Sequence, residues 1–241
     1  MIKNYGDVIR SENNMQIAGL EKFSMIDYPG KISAIIFCRG CPLKCRYCHN
    51  AHLQNFDSNE QNVSRETIDD FLKRRQNMID AIVFSGGEPL ANDDLREKMF
   101  HVKQCYHFLI GLHTSGFYPE NLKNIIDIVD WVGLDIKAPL DDPHLYNMIT
   151  GNSKGGDNAM KSLNILIDNN VDFEVRTTFD SRFLNDSDML NIAVSLNKLG
   201  IKKWFIQQCI LRFNKNDVKL NLPSAEILEK ISGYIDVEIR K

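Results

Sequence analysis

From residue 32 onward, short apolar runs alternate with longer segments in which apolar residues recur every three or four positions. The runs are five to seven residues long and rich in β-branched and aromatic residues, which is typical of strands buried in a parallel sheet. The predicted strands are residues 32–37, 81–85, 108–113, 131–137, 173–179 and 203–208. The longer segments predict helices at residues 64–77, 93–105, 119–129, 157–169, 186–199 and 224–233.

Strands that alternate with helices predict parallel βα units joined by right-handed crossovers. We therefore expect an α/β fold in a single domain, with six βα units that close fully or partly into a TIM-type (β/α)6 barrel. A doubly wound open sheet is the alternative. A further strand at residues 236–240 is expected at an edge of the sheet.

Three segments fall outside these units. Residues 1–16 are predicted to form a polar N-terminal tail, so the core domain would span residues 17–241. Residues 17–31 are expected to form an extended hairpin that turns at Tyr28-Pro29-Gly30. Residues 150–158 are rich in glycine but lack the phosphate-loop pattern, so they are expected to be a flexible connection.

Size and charge narrow the class of protein. The chain has 241 residues and a net charge of −3, which suits one globular domain and predicts no broad affinity for nucleic acid. No secretory signal is recognised at the N-terminus, and no apolar run is long enough to span a bilayer. We expect a cytoplasmic protein without a membrane partner, in which cysteines stay reduced.

Each predicted strand ends in a polar cluster. Because the carboxyl ends of parallel strands meet at one mouth, these clusters are expected to lie close together there. Alternation along a strand places Asp135 and Lys137 on one face of the fourth strand, and Glu174, Arg176 and Thr178 on one face of the fifth. The clusters are the cysteine-rich segment 38–50, then SGGEP (85–89), HTSG (113–116), LDIK (134–137), VRTT (175–178) and QQC (207–209).

The segment CRGCPLKCRYCHN contains four of the six cysteines of the chain. Its cysteine spacing fits neither two separated C-x2-C zinc knuckles nor the C-x2-C-x2-C-x3-C-P pattern of bacterial ferredoxins. It does contain C-x3-C-x2-C, formed by Cys41, Cys45 and Cys48. Such a loop can bind three irons of a [4Fe-4S] cube and leave the fourth iron open to a small ligand. The other cysteines, Cys38, Cys105 and Cys209, are expected to be unliganded thiols.

This loop, with Tyr47 before its last cysteine and GGEP after the next strand, resembles the signature of the radical S-adenosylmethionine (SAM) enzymes. The resemblance implies a [4Fe-4S] cluster whose open iron chelates the amino and carboxylate groups of SAM. An electron from the cluster would then cleave the sulfonium and give a 5′-deoxyadenosyl radical. Cys41, Cys45 and Cys48 would be the catalytic metal ligands.

The resemblance also implies which residues bind SAM. Gly86 and Gly87 would let the backbone approach the ligand, and Glu88 would add a negative charge beside the amino group. Arg176 would bind a carboxylate or a ribose hydroxyl. The predicted cofactor-binding residues are Tyr47, Cys48, His49, Asn50, Ser85, Gly86, Gly87, Glu88, His113, Ser115, Asp135, Lys137 and Arg176.

Longer stretches narrow the resemblance to one group within the superfamily. Residues 23–50, 71–90, 135–139 and 173–179 together are similar to the activating proteins of anaerobic ribonucleoside-triphosphate reductase, and the pyruvate formate-lyase activases are close relatives. These proteins remove a hydrogen atom from a glycine Cα of a partner enzyme. The resemblance implies a glycyl radical enzyme as partner and a flavodoxin or ferredoxin-type electron donor.

One position departs from that group. The relatives have D-T-N-G after the third strand, where this chain has His113-Thr114-Ser115-Gly116. A neutral imidazole cannot replace the charge of the aspartate, so binding of a monovalent cation is in doubt here. Two other hypotheses stay open: a radical SAM enzyme that acts on a small molecule, and a zinc-binding interaction module without catalytic activity.

Overall fold

The computed structural model describes residues 15–57, 62–213 and 216–241. The strands are β1 (Ile17–Ser24), β2 (Ser33–Cys38), β3 (Ala81–Gly86), β4 (Leu109–Thr114), β5 (Trp131–Asp135), β6 (Asp172–Phe179), β7 (Lys203–Gln208), β8 (Ile210–Phe213), β9 (Asn216–Lys219) and β10 (Asp236–Arg240). The helices are α1 (Arg65–Arg75), α2 (Leu95–Tyr106), α3 (Pro119–Ile125), α4 (Pro143–Thr150), α5 (Gly155–Asp168), α6 (Asp186–Lys198) and α7 (Ala225–Ser232), with short 3-10 turns at Ala51–Leu53 and Pro89–Ala91. No helix in this part of the chain is long and apolar enough to cross a bilayer.

The main sheet has eight strands in the order β1-β2-β3-β4-β5-β6-β7-β10. Strand β1 pairs with β2 in the antiparallel direction, and the other seven strands are parallel. The parallel strands follow their sequence order without the reversal that defines a doubly wound sheet. The doubly wound alternative is therefore wrong, and the expected single-domain α/β fold with a mostly parallel sheet is confirmed. The strand order agrees with a partial barrel of βα units. Strand β10 lies at the edge, as expected.

Alternate residues of each strand face opposite layers. On the helix-facing side, residues such as Ile36, Phe84 and Leu134 pack in the large core formed with the helices. On the inner side, Ile35 and Trp131 belong to a small separate apolar cluster. The larger core holds the sheet to its helices, while the inner cluster closes the space below the carboxyl ends of the strands.

The segment before β2 differs from its prediction. The turn is present, since the Lys31 N–H donates to the Tyr28 carbonyl at 3.2 Å, but β1 pairs with β2 rather than with residues inside 17–31. Tyr28 folds onto the inner cluster, with its ring centroid 5.2 Å from that of Trp131. The connection therefore seals the bottom of the sheet.

Met15, the first residue that the structure describes, is anchored in the fold. Its side chain is only 5% exposed, and its N–H donates to both oxygens of the Asp94 carboxylate at 3.0 and 3.1 Å. The rest of the predicted tail, residues 1–14, lies outside the described residues.

The glycine-rich segment is not a simple flexible connection. Helix α5 begins at Gly155 and buries it, and a Cβ at this position would lie 2.7 Å from the Tyr146 ring. The glycine therefore allows α5 to pack closely against α4. Helix α4 was not predicted, although it begins with a hydrogen bond from the Leu145 N–H to the Asp142 side chain and has proline at its first position.

Gly155→Ala tests this close contact. The added methyl must displace the ring of Tyr146, which is 1% exposed, so we expect a loss of about 1–3 kcal/mol in the free energy of unfolding. Urea unfolding measures the change. Gly19→Ala is the matched control, since its Cβ would meet Phe37 at an ordinary 3.7 Å and should change stability by less than about 0.5 kcal/mol. Equal stability of the two variants would contradict the packing described here.

Candidate functional site

A cavity of about 350 Å³ lies at the carboxyl ends of the strands. It brings together residues from the cysteine loop and from the ends of β3, β4, β5 and β6. All the residues predicted to bind metal or cofactor line it except Glu88. The predicted residues on the cavity are Cys41, Cys45, Tyr47, Cys48, His49, Asn50, Ser85, Gly86, Gly87, His113, Ser115, Asp135, Lys137 and Arg176.

The end of helix α4 holds the cysteine loop. The carbonyl groups in the last turn of a helix lack partners within the helix, and here two of them accept from the loop. The Lys44 N–H donates to the Thr150 carbonyl at 2.7 Å, and the Arg46 N–H donates to the Ile149 carbonyl at 3.1 Å. The part of the loop between the thiols is thus fixed by protein contacts alone.

Gly86, the last residue of β3, and Gly87, which follows it, hold the base of the loop. The Gly87 N–H donates to the Cys38 carbonyl and the Glu88 N–H to the Gly40 carbonyl, both at 2.8 Å. A Cβ on Gly86 would lie 2.5 Å from the Cys38 carbonyl oxygen, and one on Gly87 would lie 2.3 Å from that of Gly40. Both glycines line the cavity. Glycine is required at these positions because the backbone of the cysteine loop lies so close to them.

Three of the four loop cysteines face the cavity. Cys41, Cys45 and Cys48 are partly buried and line its wall. Burial, reinforced by the charge of Glu88, raises the pKa of Cys41 to about 12. Burial also raises the pKa of Cys45, against the opposing effect of the Lys137 ammonium.

The other two buried cysteines point elsewhere. Cys38 lies on the helix-facing side of β2, with its Sγ 3.5 Å from the Met15 Sδ. Cys209 lies 3.7 Å from the Asp180 carboxylate and does not line the cavity. Within the described ranges, no three His, Cys, Asp or Glu side chains are grouped as ligands of a single metal ion.

A group of fixed charges lines the wall formed by β5 and β6. The Arg176 Nε donates to the Asp135 carboxylate at 2.9 Å, and the Lys137 ammonium lies 3.3 Å from the other carboxylate oxygen. Burial opposes ionisation of Asp135, but Arg176 and Lys137 outweigh it and hold the pKa of this carboxyl at about 2. Gly133 makes room for the guanidinium, since a Cβ there would lie 2.7 Å from its central carbon.

Strand β10 adds a cation that the sequence did not indicate. Arg240 donates two hydrogen bonds, at 2.6 and 2.8 Å, to the carboxylate of Glu174, which is 6% exposed. The same carboxylate is 3.9 Å from Arg176, and the Arg240 guanidinium lies 3.9 Å above the Phe205 ring. Arg240 thus neutralises Glu174, leaving Arg176 oriented toward Asp135.

His113 is held as a neutral imidazole. Its Nε2 lies 2.9 Å from the Asp27 carbonyl, which can only accept, so Nε2 carries the proton and Nδ1 accepts from the Ser85 hydroxyl at 3.3 Å. Burial, with help from the Arg176 charge, lowers the pKa of His113 to about 3. The side chain at this position is therefore uncharged.

Glu88 is the exception among the predicted contacts. Its carboxylate is 1% exposed and accepts from the Thr114 hydroxyl at 2.6 Å, from the N–H and hydroxyl of Ser115 at 2.9 and 2.5 Å, and from the Leu90 N–H at 3.2 Å. The carboxylate is directed to these donors and does not itself line the cavity. Glu88 thus ties the loop after β3 to the end of β4, and its direct contact with SAM stays a prediction.

Two features beside the cysteine loop add to the site. The His49 Nε2 lies 2.6 Å from the Ile210 carbonyl, so the unpredicted β8–β9 hairpin contacts the loop. The Tyr47 side chain is buried, and its hydroxyl has no hydrogen-bond partner among the residues that the structure describes. Polar lining residues that sequence reasoning did not commit to are Asp27, Gln54, Thr114, Thr178 and Gln207.

The fold resembles solved radical SAM structures. A radical SAM methyltransferase from Sphaerobacter thermophilus superposes with a TM-score of 0.66 at 16% identity, covering 90% of this chain and 68% of the other. The structure of anSMEcpe with bound AdoMet superposes with a TM-score of 0.61 at 18% identity, covering 83% and 61%. SuiB of Streptococcus suis is matched over 47% of its length, so this chain spans about half of that protein.

Proteins found by sequence comparison share a higher identity with this chain than these solved structures do. A protein of Methanocaldococcus jannaschii with the provisional name glycyl-radical enzyme activating enzyme is 33% identical over 91% of this chain and 93% of its own. The pyruvate formate-lyase-activating enzyme of Clostridium pasteurianum is 29% identical over 61% of this chain and 63% of its own. The pattern of the Radical SAM superfamily matches residues 35–202. The chain therefore belongs to the radical SAM superfamily, whose members use a [4Fe-4S] cluster and S-adenosylmethionine, and it is related to the glycyl-radical enzyme activases.

Proposed function

We propose that this protein is a glycyl-radical enzyme activase that carries its [4Fe-4S] cluster on Cys41, Cys45 and Cys48. The observation that carries the proposal is one cavity lined both by these three thiols and by the charged side chains of Asp135, Lys137 and Arg176. When bound, the cluster and SAM supply a 5′-deoxyadenosyl radical, which removes a hydrogen atom from a glycine Cα of the partner. Membership of this enzyme superfamily argues against the zinc-binding module.

The residues present fit these cofactors. Three partly buried thiols line the cavity on a loop that is already held by backbone hydrogen bonds, so their positions need little rearrangement. Cys38 is unsuited to be a ligand because its sulfur lies on the other face of β2. Tyr47 lines the same cavity between Cys45 and Cys48, and its buried hydroxyl has no hydrogen-bond partner among the described residues.

The charged wall suggests how SAM is oriented. Lys137 and Arg176 are the cations for its carboxylate or ribose hydroxyls, and Asp135 keeps both in place. We assign the amino group of SAM to Ser85, Gly86 and Gly87, and we place Ser115 on the same side of the cavity. The adenine of SAM is assigned to the side formed by Tyr47, Cys48, His49 and Asn50. Glu88 acts as a positioning residue that fixes the Thr114-Ser115 turn.

The partner that we propose is an anaerobic ribonucleoside-triphosphate reductase. Support comes from the similarity of residues 23–50 and 71–90 to the activating proteins of such reductases. A second candidate is a pyruvate formate-lyase-like enzyme, which the 29% identity to the Clostridium pasteurianum activase favours. Both candidates agree with a cytoplasmic location, which we also propose. A small-molecule substrate is the remaining alternative.

Replacing single cysteines tests the ligand assignment. Assembly of the cluster should fail in each of the variants Cys41→Ala, Cys45→Ala and Cys48→Ala, because the proposed cluster needs all three thiolates as ligands. Iron and sulfide analysis after anaerobic reconstitution measures this. Cys38→Ala is the matched control and should keep a full cluster, since its sulfur contacts Met15 instead. Loss of iron in the Cys38 variant, or its retention in Cys45→Ala, would overturn the assignment.

A spin measurement tests the activity. The reduced protein, SAM and an anaerobic ribonucleoside-triphosphate reductase should together give the doublet of a glycyl radical in electron paramagnetic resonance. The doublet should be absent when the acceptor glycine of the reductase is replaced by alanine. If 5′-deoxyadenosine and methionine form but neither glycyl-radical partner gains a radical, the small-molecule hypothesis would replace the activase.

The electron donor that we propose is an acidic flavodoxin or ferredoxin-type protein. Between Asp27 and Asp57 the chain has no acidic residue, and Lys44 and Arg46 are exposed between the cysteines of the loop. The Arg46 guanidinium lies 5.4 Å from the ring centroid of Phe183. The Arg182 guanidinium, which also pairs with Asp180, lies 5.2 Å from the same centroid. We call Lys44, Arg46 and Arg182 the basic rim.

Charge reversal on the basic rim tests the docking of the donor. The double variant Lys44→Glu, Arg46→Glu should slow reduction of the cluster by flavodoxin about tenfold or more at low salt, because opposite charges steer association. Reduction by dithionite should stay unchanged. The control variant is Lys73→Glu, Arg74→Glu on α1. An equal effect in both double variants, or none in the first, would contradict docking on the basic rim.

A further inference from the structure

Helices α1 and α2 form a second cluster of chemically active side chains, outside the cavity at the mouth. Cys105 is exposed in the last turn of α2, one helical turn after His101. The Cys105 Sγ lies 3.4 Å from the Nδ1 of His101, and the His101 Nε2 lies 3.3 Å from the Asp69 carboxylate on α1. The imidazole of His101 thus contacts the Cys105 thiol through one nitrogen and the Asp69 carboxylate through the other.

The carboxylate determines which nitrogen of the imidazole is free. Asp69 can only accept, so Nε2 carries the proton and Nδ1 presents its lone pair to the thiol. The second oxygen of Asp69 pairs with Arg65 at 3.6 Å, and the ring of Tyr106 packs edge-on against His101 with centroids 5.6 Å apart. These contacts hold the imidazole in the orientation that a general base for Cys105 requires.

The cluster borders an internal space. Asp69 and His101 also line a cavity of about 320 Å³ between the two helices and the sheet, with apolar walls that include Leu72, Phe84 and Val102. A cysteine with a base, an orienting carboxylate and open access has the surroundings of a reactive thiol rather than of a structural one.

We propose that Cys105 is a modification site that exchanges with low-molecular-weight disulfides. The His101 Nδ1 takes the proton of the thiol, and the Cys105 sulfur attacks one sulfur of the disulfide. The disulfide bond of the reagent breaks as the mixed disulfide forms, and the leaving thiolate takes the proton from the imidazolium. Cys105 and one half of the reagent end as a disulfide, while the other half is reduced to a thiol, so no further oxidant is needed.

Site-resolved labelling tests the proposal. The anaerobic protein is treated with glutathione disulfide, free thiols are blocked at intervals, and the peptide containing Cys105 is quantified by mass spectrometry. Cys105 should react about tenfold faster in the folded protein than in the urea-unfolded chain, and His101→Gln should remove that advantage. Asp69→Asn should lower the rate by a smaller factor, because the imidazole remains but loses its orienting partner.

A neighbouring histidine provides the control. His107 has a left-handed backbone (φ 61°), which asparagine tolerates, so His107→Asn should leave the rate at Cys105 unchanged. A rate in His101→Gln or in the unfolded chain within about twofold of the native rate would overturn the proposal. Thermal unfolding of each variant shows whether it folds. If His101→Gln does not fold, the rate at Cys105 in Asp69→Asn is compared with the native rate instead. The readout follows one peptide and needs no radical chemistry, so it is independent of the proposed activase function.

Discussion

The backbone of the cysteine loop lies directly against the end of β3, and the geometry of the whole site depends on this contact. Gly86 and Gly87 are the residues that permit it, because any side chain there would collide with the carbonyl groups of Cys38 and Gly40. Hydrogen bonds from the two residues after the strand lock the same interface. Since β3 lies between β2 and β4 in the sheet, the loop shares the rigidity of the core.

The charged side chains of the inner wall are buried at an acceptable cost in free energy. Glu174 and Asp135 are two carboxylates, and Arg176, Lys137 and Arg240 are three cations, so the group has one excess positive charge. Each carboxylate is paired, which avoids the penalty of an isolated buried ion. His113, neutral and hydrogen-bonded on both nitrogens, leaves this balance unchanged.

The sequence was sufficient for those parts of the structure that follow from periodicity. Alternating strands and helices gave the parallel sheet, and the polar strand ends gave nearly the whole cavity lining. Features set by tertiary packing were missed. Gly155 has a loop-like composition but serves the contact with Tyr146, and nothing in the sequence shows that Glu88 turns inward to Ser115. Gly133 inside a strand was an available signal of close approach, in this case by Arg176.

The anchoring of the cysteine loop by α4 and β3 has a consequence for the durability of the enzyme. The backbone of the loop is hydrogen-bonded to the end of α4 and to the residues after β3, and none of these bonds involves the cluster that we propose for its thiols. Repair then amounts to reinsertion of iron and sulfide into a standing scaffold, without the refolding that metal-dependent domains such as zinc fingers require.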